Sequence, residues 1–580
     1  MIDASPHAEP TSRRLNLADF KYLPLILLLS FVLNIWGNRW GAPNFWHPDE
    51  IVQRAYTMFA EREPNPHHFA YGSLHYYTIW LGDIVPVKVY ERLVDPPPPG
   101  NTSTESKQWL VREQARVIQM SRTLSAIMSV FVVGLTFIMG TLLFDKRAGY
   151  IAALLLSVSM SFVTIAHFST VDAPSNFWYW LSCVFALMIW KRGTWRWYFL
   201  AALTAGLAIG VKTDRLLLLF PLLLSHFMRR ESRQWSNLLW FVFLIPLGFV
   251  LANPALLMSP FEFLDGYTRD LFFNKARGVP GQTSYFTMLE HAQTGLGWPL
   301  FAAAMASVAF ALYHLLRRRN AAAIIWLLAT FAPYYIIFGS TSEIAPWYLP
   351  LFFPGLMICA GYAFVALMDA APQRYVAAIK AAGAGIFVYS FLYSLAMALQ
   401  FSNDSRYLAK EWIEQNVPTH ATLEMLLRGP AISREKYEIS NPPIDKEFYE
   451  FARRWHDNLN NDQAYQEIRT AILDLERWVE RQYGIPGRDE PYTAWFDVIP
   501  TAHEKVEDKP LHANGAELKR PDYIVIVEYL QPKSLTTLQA PDSGYRLATQ
   551  FHYAAPFGLK PVFEFVNSPV YVFEKVNMRK

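Results

Sequence analysis

Trp46-His47-Pro48-Asp49-Glu50 sets two neighbouring carboxylates shortly after the first long apolar run of the chain. A carboxylate just outside a bilayer can take the proton of an acceptor hydroxyl that meets a lipid-borne substrate. The plainer reading is a turn that starts a helix. Pro48 suits a first helical turn, and acidic side chains there favour the helix dipole. Exposed polar loops carry function disproportionately, so the surroundings decide between the two.

Those surroundings are a membrane protein's. The chain has 580 residues and 52% hydrophobic content, and its average hides two halves. Long apolar runs dominate up to residue 400, whereas 401–580 is rich in charge. A bilayer-spanning helix needs roughly 20 mostly apolar residues, and about eleven segments meet that test. They lie near 20–38, 117–143, 148–167, 173–190, 196–211, 214–228, 237–257, 298–316, 321–338, 346–368 and 378–400. The first run is longer than a signal-peptide core and lacks a small-residue cleavage site, so no cleavable signal is expected. Cys183 and Cys359 fall inside spans and suggest neither a disulfide nor a metal site. The net charge of +3 is too small to argue for nucleic acid.

Lys and Arg orient the spans, because short cytoplasmic loops carry them in excess. Every second loop is basic: Arg13, Arg14 and Lys21, then Lys146 and Arg147, Lys191 to Arg196, Arg229 to Arg233, Arg317 to Arg319, and Arg374 with Lys380. The expected topology is a cytoplasmic tail over 1–19, a membrane domain over 20–400 and an extracytoplasmic domain over 401–580, in a cell's inner (plasma) membrane. Residues 41–115 then form a long first outer loop. Asp49 to Phe59 and Leu74 to Leu93 have helical apolar spacing and read as helices along the membrane surface. A re-entrant hairpin is the competing form for the second. Asp95 to Gly100 breaks structure, and Asn101 to Ser106 reads as a flexible tip.

Ionisable residues in or beside spans are costly to bury and are candidates for function. Arg122 lies about two turns into the second span and is placed either to snorkel outward or to pair with Asp49 or Glu50. Arg116 sits at the interface as a flanking charge or a phosphate contact. Asp172, before Pro174, fits both a helix N-terminus and a site. Lys212, between two spans on the outer face, suits a lipid phosphate, for which Lys is a point charge. Glu343, Trp347 and Tyr348 fit an aromatic interface belt or a substrate contact. His67, His68, His75 and Glu63 invite a metal reading, but their spacing is loose and no zinc-type motif is present. No metal site and no cofactor are expected, with an assisting divalent ion left open.

In this order the residues resemble a family: the bacterial and archaeal glycosyltransferases related to protein O-mannosyltransferases and to the aminoarabinose transferase of lipid A, which share the GT-C fold. The resemblance rests on Asp49-Glu50, Asn65 to Leu74, Arg122 to Ala126 with Leu143 to Gly149, His167 to Pro174, Gly206 to Lys212, Tyr348-Leu349-Pro350 with Pro354, and Asn403 to Pro418. Trp347 departs from it, since the family often has Arg before Tyr-Leu-Pro. The resemblance implies a mainly α membrane protein with a GT-C fold and a C-terminal α/β domain. It also implies inverting transfer of a sugar from a polyprenyl-phosphate donor to an acceptor hydroxyl on a glycan, lipid or protein. Asp49 would be the base and Glu50 or Arg122 its orienting partner. Lys212, Arg122 and Arg116 would face the donor phosphate, and His47, Tyr71, His75, Asp172, Glu343, Trp347 and Tyr348 would line the substrate site. Adjacent helical Asp49 and Glu50 point in different directions and would not both face one sugar.

In 401–580, Ser405 to Asn416 and Asp462 to Gln482 have helical periodicity, and Ala421 to Leu427, Tyr523 to Tyr529 and Val570 to Val576 read as strands. Trp455, Trp478 and Trp495 suit stacking on a sugar or, as the default, packing in its core. The domain either binds acceptor or covers the outer cavity, and a cover is the expected role. Two other functions use the same features: a transporter or flippase of lipid-linked sugars, and a lipid-linked glycan ligase. Against the first, no paired interruptions mark repeated halves. Against the second, the Trp-Trp-Asp-Tyr-Gly run of oligosaccharyltransferases is missing.

Overall fold

The computed structural model describes residues 17–576 except 70, 101–102, 230–233, 278–281, 342–343, 426–427, 441–452, 455, 484–519, 531, 542 and 564. All eleven expected segments are helical in it. Among the described residues, length and apolarity single out five helices able to cross a membrane: Thr104–Leu143, Trp235–Ala252, Trp298–Leu316, Phe353–Ala370 and Gln373–Asn416. The bent pair Ala321–Ala329 and Ala332–Gly339 makes a sixth if it counts as one span. Of the other segments, 173–190 lies in one continuous 21-residue helix, Asp172–Arg192, that is long enough but less apolar, and the rest are shorter or broken. The 20–38 run gives only Leu23–Ile35, and the 148–167 run divides into Lys146–Ser157 and Met160–Ile165. The expected 214–228 span opens as a 3-10 turn, Thr213–Leu218, before Leu219–Met228.

The Thr104–Leu143 helix starts 13 residues before its apolar part, because the Ser103 hydroxyl caps it by accepting the Ser106 N–H at 3.1 Å. Ser103 to Ser106 is therefore a helix start and not a flexible tip. Its 40 residues make a rod about 60 Å long, twice a hydrocarbon core of about 30 Å. Counting up from Leu143, Arg122 falls at one edge of that core. The 41–115 segment packs on this protruding part. Its helices are Val52–Glu61, Ser73–Ile79 and Val85–Leu93, the last two joined by a π-helical turn, Trp80–Ile84. Buried Ile51, Ala55, Met58, Tyr76, Ile79 and Val87 form one cluster with Val117 and Ile118 of the long helix.

Helices that must approach closely use small residues, as packing in a bilayer favours. Gly206 in Trp195–Val211 faces Gly248 in Leu239–Ala252, and a Cβ on either would come within 3 Å of the other's Cα.

The C-terminal part carries one five-stranded sheet, order β2-β1-β3-β5-β4: β1 Thr422–Met425, β2 Glu438–Ser440, β3 Tyr523–Val527, β4 Tyr545–Phe551 and β5 Val570–Lys575. β1 runs parallel to β2 and β3, whereas β5 is antiparallel to β3 and β4. The helices Ser405–Asn416 and Gln463–Tyr483 fall where the periodicity sets them. Trp478 is 46% exposed and not a core residue, while Trp455 and Trp495 lie outside the described residues. The sheet is tied to the membrane half through Asp404. Its carboxylate accepts from the Trp40 indole (2.8 Å), both faces of the Arg406 guanidinium (2.8 Å each) and the Asn567 backbone N–H (2.7 Å). Arg406 in turn lies 3.8 Å over the Trp46 ring.

Candidate functional site

Glu50 and Arg122 are a closed pair. Arg122 donates through Nε to Oε1 (2.7 Å) and through Nη2 to Oε2 (2.8 Å), and neither side chain is exposed. The Ser169 N–H adds a third bond to Oε1 at 3.1 Å, and Nη1 of Arg122 bonds the carbonyls of Asn38 and Trp40. Arg122 thus spends its guanidinium on Glu50 and on the 38–40 turn rather than facing outward. Asp49 stays out of this pair. Its backbone N–H donates to Nδ1 of His47 at 3.1 Å, and its carboxylate acts on Tyr71 and on Arg428.

Tyr71 stands at the centre of the acidic groups. Burial, then Asp49, Tyr348, Asp172 and Asp270, push its hydroxyl well above the ordinary value, so it stays a neutral hydrogen-bonding group. Lys212 closes the ring of charges. Its Nζ lies 2.7 Å from Asp172 Oδ1 and 3.9 Å over the Tyr348 ring. Burial lowers the affinity of Lys212 for its proton, but Asp172, Tyr348 and Asp214 outweigh that, and its pKa is raised. Thr170 holds the other Asp172 oxygen at 3.0 Å, and burial pulls His75, beside Asp172, down to about 4.

Gly72 makes this grouping possible. A Cβ there would lie 1.5 Å from the Gly210 carbonyl oxygen, two residues before Lys212. The Gly72 N–H bonds the Val211 carbonyl (3.2 Å). Asn253 finishes the junction by accepting the Ser73 N–H (2.9 Å) and donating to Gly210 (3.1 Å). Three segments distant in sequence thereby present Tyr71 and Lys212 to one space.

The C-terminal domain brings Phe565 and Arg428 to His47. His47 is buried against Phe168 (4.3 Å between centroids), Phe565 (5.1 Å) and Trp347 (5.8 Å). Burial first, then Arg428 and Arg122, hold its imidazole well below the ordinary value. With Nδ1 accepting from Asp49, the proton of the neutral ring sits on Nε2, which is buried without a partner among the described residues.

Other expected residues fall elsewhere. Arg116 is held by Asp95 and Glu91 about 9 Å further along the helix than Arg122, so it belongs to the outer loop's own ion pairs. Glu343 lies outside the described residues. His67 bonds Glu262 (2.7 Å) and His68 bonds Tyr76 (2.7 Å), and no three metal-ligating side chains gather among the described residues. Three groups had not been singled out in the sequence. Asp270, in Pro260–Arg277, is pushed up to about 7 by burial, against the pull of Lys212. The buried pair Asp214–Arg215 (2.8 Å) is braced by Tyr334, Ser175 and Asn176. Arg428 is the third. An acid between aromatic residues, Tyr267 to Phe272, was the available signal for the first; the other two had none beyond their charge.

Residues 113–258 match the family model described as dolichyl-phosphate-mannose-protein mannosyltransferase. That segment holds Arg122, Asp172 and Lys212, and over it the resemblance seen in the motifs is shown. No curated protein matches the chain. Among solved structures, the chain is similar to the oligosaccharyltransferase AglB from Archaeoglobus fulgidus, held with an inhibitory peptide and a dolichol-phosphate. The identity is 15%, the TM-score 0.44, and the match covers 70% of this chain and 62% of AglB, less than two thirds of that protein's length. It is similar also to ArnT from Cupriavidus metallidurans bound to undecaprenyl phosphate, at 13% identity and TM-score 0.47, covering 96% of this chain and 99% of ArnT.

Proposed function

We propose that this protein is an inverting glycosyltransferase of the GT-C type. It moves a sugar from a polyprenyl-phosphate donor to an acceptor hydroxyl at the outer face of a membrane, with the N-terminus cytoplasmic and the C-terminal domain outside. The observation that carries the reading is the division of labour between two adjacent carboxylates. Glu50 is neutralised by Arg122, while Asp49 faces Tyr71 and Arg428 beside the Lys212–Asp172 pair.

In the reaction Asp49 takes the acceptor hydroxyl's proton as its oxygen bonds the sugar's anomeric carbon. The bond from that carbon to the donor phosphate breaks, and its electron pair stays on the phosphate oxygen. Lys212, preorganised by Asp172 and Tyr348, stabilises the charge that develops there. Glu50 and Arg122 are positioning residues in this scheme, because they fix the 38–50 segment that carries Asp49. Phosphate is already a good leaving group, so the second carboxylate of a hydrolase pair is not required. The test is transfer of radiolabelled sugar from synthetic polyprenyl-phosphate donors by purified protein, with Asp49→Asn alongside. Transfer by wild type and its loss in the variant supports the reading. Absence of transfer from every donor, with lipid binding retained, favours transport of the lipid-linked sugar instead.

A further inference from the structure

We infer that Arg428, carried by the C-terminal domain, binds the phosphate of the lipid-linked donor, so that this domain completes the donor site and is more than a cover. The inference rests on the glycosyl-transfer reading above. Its first support is how the Arg428 backbone is fixed. The Arg428 carbonyl accepts from Nη1 of Arg406 at 3.2 Å, and the next carbonyl, Gly429, accepts from the Trp46 indole at 3.0 Å. Arg406 is itself clamped to Asp404 and stacked on Trp46. The turn that bears Arg428 is therefore bolted to the residue before His47.

The second support is a contrast among guanidinium groups. Arg122 is paired with Glu50, Arg215 with Asp214 and Arg406 with Asp404. Arg428 is half-buried, and no hydrogen bond or ion pair holds its guanidinium among the described residues. Burial lowers its pKa, while Asp49 and Tyr529 act on it to raise it. A partly dry cation with no hydrogen-bonded acceptor among the described residues is costly unless an anion completes it. Next to it, the Nε2–H of His47 is buried and without a partner. Beside Asp49, two donors thus lack an acceptor among the described residues, whereas the Lys212 ammonium already has Asp172. The Pro346–Leu351 turn, which borders His47 through Trp347, contains no basic residue. The donor's phosphodiester fits these groups. The flat guanidinium fork matches its two non-bridging oxygens, and the imidazole N–H meets the third oxygen, which the departing sugar frees. As the sugar departs, the charge gained by the phosphate lies between Arg428 and Lys212.

The test uses the full purified chain and three probes: undecaprenyl phosphate, undecaprenol and inorganic phosphate. Wild type is expected to prefer the phosphate lipid to the alcohol. Arg428→Gln should lose about 10- to 100-fold in affinity for the phosphate lipid and nothing for the alcohol. Inorganic phosphate should compete with the lipid in wild type and not in Arg428→Gln. Lys436→Gln, an exposed change in the same domain, should bind as wild type does. Unchanged lipid affinity or unchanged phosphate competition in Arg428→Gln overturns the inference and leaves the transfer reading standing. Equal binding of both lipids by wild type overturns both. Should the Gln variant fail to fold, Arg428→Lys decides. It keeps the charge and loses the fork, so affinity for the phosphate lipid falls severalfold; full affinity overturns the inference.

Discussion

Glu50 and Arg122 meet through two parallel contacts of 2.7 and 2.8 Å with neither side chain exposed, while Asp49, the next residue back, takes no part in the pair. Breaking one half of a buried pair leaves an uncompensated charge, which costs about 3–5 kcal/mol. Glu50→Gln and Arg122→Gln should each lose unfolding free energy of that order, read as a lower unfolding midpoint of detergent-purified protein. The double variant should lose less than the sum, because both remove the same contact. Asp49→Asn should unfold near the wild-type midpoint and lose transfer by about 10²- to 10⁴-fold. A midpoint for Asp49→Asn as low as that of Glu50→Gln would return Asp49 to a structural role.

The Lys212–Asp172 pair sets a second expectation. Lys212 lies 3.9 Å over the Tyr348 ring, and Asp172 holds it in place rather than free to swing. Lys212→Gln should therefore raise the donor KM and lower kcat together, since the ammonium holds the ground-state phosphate and holds it more strongly as charge develops in the transition state. Lys212→Arg should recover only part, because a planar fork does not fit a space shaped for a point charge over a ring. Initial rates against donor concentration separate these. Unaltered kinetics in Lys212→Gln would remove it from the phosphate.

Much of this arrangement was legible in the residues, and the limits have physical causes. Long apolar runs mark helices wherever they occur, so all eleven segments are helical. The start at Thr104 escaped notice because a polar, surface-lying turn has no apolar signal before its Ser103 cap. β3 and β5 are rich in β-branched and aromatic side chains. β4, with Arg546, Thr549 and Gln550 on a sheet edge, alternates too weakly to announce itself. Asp49, Tyr71, Asp172, Lys212 and Tyr348 could be singled out because they are polar residues beside membrane spans. Asp270 and Arg428 could not, because their importance comes from burial next to groups some 60 to 380 positions away, which no local pattern encodes.

Asp270 carries a pH prediction whose sign follows from its environment. Its folded-state pKa of about 7 lies above the ordinary value of 3.8, so the folded protein holds a proton that the unfolded chain releases first. The stability this group contributes is therefore full below about pH 4, falls as pH rises, and is lost by about pH 7. Asp270→Asn keeps the neutral form at every pH. Relative to wild type it should gain in unfolding midpoint between about pH 5 and about pH 8. The same difference at both pH values would show that Lys212 has already compensated the ionised carboxylate.

Gly72 offers the sharpest steric prediction. An added Cβ would fall 1.5 Å from the Gly210 carbonyl oxygen and 2.8 Å from the Val211 Cα, so backbone must move and Tyr71 moves with it. Gly72→Ala should cost about 1–3 kcal/mol through overpacking. It should also lower transfer by about 10²-fold, the scale on which a displacement of about 1 Å at a reacting centre is felt. Gly385 supplies the control. It sits in the Gln373–Ser402 helix with nothing within 4 Å of a built Cβ, so Gly385→Ala should leave transfer intact and raise stability by about 0.5–1 kcal/mol. Unfolding midpoints and transfer rates measured on the two variants together decide the matter. Equal transfer rates would detach the Gly72–Gly210 contact from the site, whatever its effect on folding.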